Sequence, residues 1–175
     1  ADDMPVTLGT SGPSTMVAIA RSKEAQEMGA AAVMVAPPPM AKSNLDVVYA
    51  HYHRLAEAID IPIVVQDYPK TTGVHMPPDF FVKLINNIPL IKYCKIEAPP
   101  TPSKISAIRR LTGDRLILFG GLGGLFLLDE LSRGASGAMT GFAFPEILVD
   151  ICRNMSEGNT HVAQELFHRW LPLIL

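Results

Sequence analysis

The stretch Pro89–Glu97, PLIKYCKIE, reads as a β-strand with a lysine, Lys95, placed inside it. Strands of a parallel α/β sheet are near-continuous apolar runs, so an amine in mid-strand is costly unless it has a task. Covalent chemistry is one such task. Desolvation and neighbouring positive charge favour the neutral amine, which can attack a ketone and form a Schiff base. The alternative is an edge strand with Lys92 and Lys95 both in water.

Outward from this run, strand-like segments recur at Val6–Gly9, Ala32–Ala36, Ile61–Asp67, Leu90–Glu97, Leu116–Gly120 and Ala138–Phe142, each followed by a helical stretch. The repeat is close to the roughly 30 residues of one βαβ unit and predicts a parallel sheet. Ser14 is placed to cap a helix carrying Val17, Ile19, Ala20 and Met28, with Gly29 as its stop. Asn44 can cap the next, and Pro77 and Pro78 precede a third with Phe81, Leu84 and Ile85 inward. Pro102, Gly124 and Pro145 mark three further helix starts, and Trp170 lies in a final amphipathic stretch ending at Leu175.

No linker or low-complexity segment divides the 175 residues, so residues 1–175 are expected to form a single domain. With 48% apolar residues the chain can bury a substantial core, and a net charge of −2 with scattered lysines and arginines gives no nucleic-acid footprint. No apolar run reaches the roughly 20 residues of a membrane span and there is no signal peptide, so a cytoplasmic protein is expected. Cys94 and Cys152 do not form a Cys-x-x-Cys pair, and His51 and His53 project apart on a helix; neither a disulfide framework, a metal site nor a cofactor is expected.

Six β/α units suit either a doubly wound sheet or part of an eightfold barrel. Gly120-Gly121-Leu122-Gly123-Gly124 has the wrong spacing for a dinucleotide fingerprint. The polar residues gather instead where strands end: Thr10 and Ser11, Gln66 and Asp67, Lys95 and Glu97, Thr140. A barrel builds its active site on that face.

IPIVVQDYPKTTGV (61–74), IKYCKIEAPP (91–100) and GAMTGFAFPE (137–146), with GAAAVMVAP (29–37), resemble the dihydrodipicolinate synthase and N-acetylneuraminate lyase superfamily of Schiff-base lyases across essentially the whole chain. The resemblance implies a (β/α)8 TIM barrel, here represented by about six β/α units, with the first two strands and their carboxylate-binding threonine pair absent. It also implies that Lys95 forms a Schiff base with a small 2-keto acid and that the protein is a homotetramer.

Departures matter as much. The proton-shuttling tyrosine of the family falls at Gln66, a second tyrosine falls within Pro37–Met40, and the carboxylate-binding arginine falls near Thr71, beside Lys70. Lysine synthesis is thereby disfavoured. The VQD-x-P, KIE, GAMTG and WLPLI segments look more like the 2-keto-3-deoxy-sugar-acid dehydratase branch, L-2-keto-3-deoxyarabonate dehydratase in particular. Lys95 is then the Schiff-base amine, and Glu97, two residues on along the same strand face, transfers protons or tunes it; a structural ion pair is the blander account of Glu97. Gln66 is expected to hydrogen-bond the keto acid or orient a water. Thr10, Ser11, Lys70, Thr140 and Gly141 are candidates for substrate contact. Gly120 and Gly121 offer room or backbone N–H groups, with tight strand-to-helix packing as the alternative. A pyruvate-releasing aldolase or dihydrodipicolinate synthase-like enzyme and a catalytically inactive keto-acid-binding sensor are the competing functions.

Overall fold

The computed structural model describes residues 4–174. Leu175, the expected end of the last amphipathic stretch, lies outside the described residues. Five strands, β1 (Thr7–Gly9), β2 (Ala32–Val35), β3 (Ile63–Asp67), β4 (Ile91–Ile96) and β5 (Ile117–Phe119), form one parallel sheet in the order β1-β2-β3-β4-β5. Each strand neighbours the next in sequence and the order never reverses. A doubly wound sheet requires such a reversal, so the winding is that of a barrel wall.

The helices between them are α1 (Thr15–Glu27), α2 (Leu45–Ala56), α3 (Pro69–Thr72), α4 (Pro78–Asn87) and α5 (Thr101–Thr112); α6 (Leu127–Ser132), α7 (Pro145–Ser156) and α8 (Thr160–Ile174) follow β5. Local chemistry sets their ends. Ser14 accepts from Val17 N, Asn44 accepts from Asp46 N and Val47 N, and Gly29, with φ 85°, takes the left-handed position after α1. The buried stripe of α1 is Ala18, Ser22 and Ala25, with Ile19 packing against the core while partly buried. Small residues at this spacing let the helix approach closely, and Met28 is left in water.

One face of the sheet supplies Val33, Val35, Ile63, Val65, Cys94, Ile96 and Leu118 to the main core, where they meet Val48, Tyr52, Phe81, Leu84, Ile105 and Ile108 of the helices. Burying each such large side chain contributes roughly 1.5–3 kcal/mol before the entropy of ordering it. A second cluster joins Leu127, Leu148, Ile151, Ala163, Phe167 and Ile174 across α6, α7 and α8.

The expected sixth strand, Ala138–Phe142, shrinks to a single bridge between Gly120 and Ala138, with Met139 N donating to Gly120 O. A strand lasts only as far as its ladder, and beyond Met139 this segment has no ladder partner among the described residues. Among the described residues no helix is long and apolar enough to cross a membrane.

Candidate active site

A register shift decides which lysine faces the site. Ile63 pairs with Ile91, but Val64 pairs with Tyr93, leaving Lys92 as the extra, exposed residue of a bulge. Past it, alternation places Tyr93, Lys95 and Glu97 on the face opposite the helix-side core, with Gln66 directly beside Lys95 in the register. Phe119 of β5 pairs Lys95 from the other side.

On this face Lys95 Nζ lies 3.1 Å from Glu97 Oε1, and Gln66 Nε2 donates to Glu97 Oε2 at 2.7 Å. The Lys95 and Glu97 side chains are 11% and 8% exposed, so the pair is largely withdrawn from water while an opening to the amine remains. A carboxylate held on both oxygens stays oriented, and an amine with one dominant acceptor has a defined route for its proton. Gln66, expected to contact substrate or water, here donates to Glu97.

The glycine pair has a use other than open substrate space. A Cβ on Gly121 would sit 2.5 Å from Glu97 Cγ, and one on Gly120 would sit 1.7 Å from Glu130 Oε2. Each glycine therefore admits a carboxyl side chain against the backbone, closer to the packing account than to a substrate cradle. Glu130 is fully buried and accepts from Thr101 Oγ1 at 2.5 Å, and its other oxygen has no partner. Burial pushes its carboxyl up to about 6.

The remaining expected contacts divide. Thr10 stands at the end of β1, but its hydroxyl pairs with Ser22 of α1 at 2.7 Å, and Ser11 Oγ accepts from Ala36 N at 2.8 Å; both hydroxyls brace the frame rather than face an open site. Lys70 is exposed on α3, and Gly141 is exposed with nothing within 4 Å of a Cβ built on it. Thr140 lines a separate cleft of about 530 Å³ with Phe119, Ala138, Phe142, Leu148 and Cys152, a volume that includes none of Lys95, Glu97 and Gln66.

Sequence reading missed Glu130, Thr101 and a second buried pair, Lys104 Nζ to Asp67 Oδ2 at 2.5 Å. Burial raises the Asp67 carboxyl against the opposing pull of Lys104. The available signal was an acid on an apolar stripe: Glu130 stands three residues after Leu127 in a leucine-rich helix. Among the described residues no three His, Cys, Asp or Glu side chains gather as a metal site.

The dihydrodipicolinate synthetase family model matches residues 1–175. The chain is 37% identical to an L-2-keto-3-deoxyarabonate dehydratase of Azospirillum brasilense, covering 99% of this chain and 57% of that protein. It is 34% identical to a 4-hydroxy-tetrahydrodipicolinate synthase of Methanothrix thermoacetophila, covering 98% and 58% respectively. Among solved structures, dihydrodipicolinate synthase from Rhodopseudomonas palustris superposes with a TM-score of 0.88 at 35% identity, over 99% of this chain and 60% of that one. The chain thus spans under two thirds of the length of these relatives.

Proposed function

Since the chain belongs to the dihydrodipicolinate synthetase family, we propose that it carries the Schiff-base centre of a lyase that dehydrates a 2-keto-3-deoxy sugar acid. The observation that carries this reading is the Gln66–Glu97–Lys95 chain on the face away from the helices. Lys95 passes a proton to Glu97, and the neutral Nζ adds to the C2 carbonyl of the keto acid. Loss of water leaves an iminium ion, which draws electrons from C3. Glu97, freed of its proton, removes one from C3, and the resulting enamine expels the C4 hydroxyl as that oxygen is protonated and leaves as water. Gln66 holds the Glu97 carboxylate between amine and substrate throughout.

The 37% identity to the arabonate-derived dehydratase supports dehydration over carbon–carbon chemistry, as does an amide at position 66, which cannot shuttle protons. Synthase relatives at 34% identity favour a second reading, condensation of pyruvate with an aldehyde. Product analysis separates the two. Given a five- or six-carbon 2-keto-3-deoxy acid, the protein carrying this chain should yield the dehydrated keto acid, and given pyruvate with aspartate semialdehyde it should yield negligible condensation product. Borohydride should fix an adduct on Lys95; Lys95→Ala should abolish turnover, and Glu97→Gln should slow it by roughly 10²–10⁴-fold. An adduct on Lys92 or Lys70 instead, or none with any keto acid, rejects the assignment; efficient condensation rejects dehydration alone.

A further inference from the structure

Two acid side chains close on the same dipeptide. Glu97 packs where a Cβ of Gly121 would lie, and Glu130 packs where a Cβ of Gly120 would lie. One belongs to the candidate site. The other has no part in the proposed chemistry, yet it is fully buried, holds one hydrogen bond from Thr101 and leaves Oε2 without a partner. A buried acid tolerated at this cost, in a helix otherwise packed through leucines, calls for a reason beyond packing.

We propose that Glu130 is a positioning residue whose charge, acting across the Gly120–Gly121 backbone, sets how readily Glu97 accepts a proton from substrate. This rests on the Schiff-base reading of the site. With Glu130 neutral, Glu97 feels chiefly Lys95 and the Gln66 amide. With Glu130 ionised, a second buried negative charge on the other side of the Gly120–Gly121 backbone opposes the Glu97 charge and makes Glu97 the stronger base.

The groups that set the Glu130 charge are few. Burial raises its carboxyl to about 6, the Thr101 hydrogen bond on α5 pulls the other way, and the charges of Asp129 on α6 and Glu97 after β4 add to the rise. The end of β5 contributes only Gly120. Glu130 therefore changes charge near neutral pH, and the strength of Glu97 changes with it.

Exchange of the pyruvate methyl hydrogens for solvent deuterium tests this without knowledge of the natural substrate. On the Lys95 iminium the C3–H bond breaks, its electrons form the C2–C3 double bond as the C2–N π pair moves onto nitrogen, and the proton goes to Glu97; a solvent deuteron returns to C3 as the iminium re-forms. In the protein carrying this chain, the exchange rate at saturating pyruvate should rise about 3–10-fold across pH 6 as Glu130 ionises. Glu130→Gln, fixed in the neutral state, should lack that step and stay near the low-pH rate. Thr101→Val removes the bond that stabilises the anion and should carry the step to higher pH, and it decides the matter if Glu130→Gln does not fold. A step unchanged in both variants, or a uniform fall in rate with the inflection in place, overturns the proposal and leaves Glu130 structural. No borohydride adduct on wild-type Lys95 overturns the Schiff-base reading itself, and an adduct without exchange overturns Glu97 as the base; the proposal falls with either.

Discussion

Gly121→Ala tests whether the loop after β5 holds Glu97 in place. Gly121 stands at φ −145° and ψ −132°, with its Cβ direction aimed at Glu97. The new methyl would lie 2.5 Å from Glu97 Cγ, 2.7 Å from Oε1 and 2.8 Å from Cδ. Ordinary carbon–carbon contact is about 3.5–4.0 Å, so the side chain must retreat by about 1 Å. That retreat lengthens contacts that now stand at 2.7 Å from Gln66 and 3.1 Å from Lys95, taking both toward or past the limit of a hydrogen bond. Misplacement of this size costs about 10²-fold in rate, and overpacking costs about 1–3 kcal/mol in stability. The assay is the rate at which borohydride fixes a pyruvate adduct on Lys95, followed by mass spectrometry, beside a thermal melt of the same variant. Trapping slowed by about 10–10²-fold, with a folded protein and a modest loss of melting temperature, is expected. A trapping rate within about twofold of wild type would show that Glu97 does not depend on the glycine, and the placement of the acid against Gly121 would be wrong.

Two further outcomes follow from buried charge. His51 is buried on α2, with Nδ1 3.0 Å from Thr15 Oγ1, no partner on Nε2 and a pKa lowered by burial from 6.5 to about 4. The folded state thus refuses a proton that the unfolded chain accepts, so stability present above pH 6.5 drains away as pH falls toward 4, by up to about 3 kcal/mol. Urea midpoints at pH 7 and pH 5 should differ less in His51→Leu than in wild type, and equal differences would exclude His51 as the source. Asp67→Asn leaves Lys104 facing an amide at a buried site and should destabilise by about 3–5 kcal/mol, whereas Asp67→Asn with Lys104→Met should recover most of the loss. Denaturant unfolding checks both, and a single-variant loss below about 1 kcal/mol would mean the pair contributes little.

The parallel winding and the mid-strand placement of Lys95 were legible because both rest on local pattern. Apolar runs at a βαβ spacing predict a parallel sheet, and a lysine within such a run stands out against the residues on either side. The bulge was not legible. Nothing in PLIKYCKIE says that Lys92 is the unpaired residue, because the shift arises from pairing with β3, thirty residues earlier in the chain. The sixth strand failed for a related reason: GAMTGF has strand-like composition, but a ladder forms only with a neighbour, and composition does not report neighbours.

The glycines show the same limit at the site. Their spacing excludes a dinucleotide loop, and that exclusion needs only the sequence. What replaces the missing side chains is set by long-range packing: Glu97 arrives from β4 and Glu130 from α6, and each fills a space that one methyl group would close. Lys95 stands out as a candidate because a largely buried lysine in mid-strand is unusual. Glu130 escapes notice because Asp129 and Glu130, side by side on a short leucine-rich helix, read as surface acids until Thr101 and Gly120 are brought against Glu130. The chemistry of this site is therefore readable one residue at a time only where a residue breaks its own local rule; where two residues act through a shared backbone contact, only the folded arrangement discloses the pair.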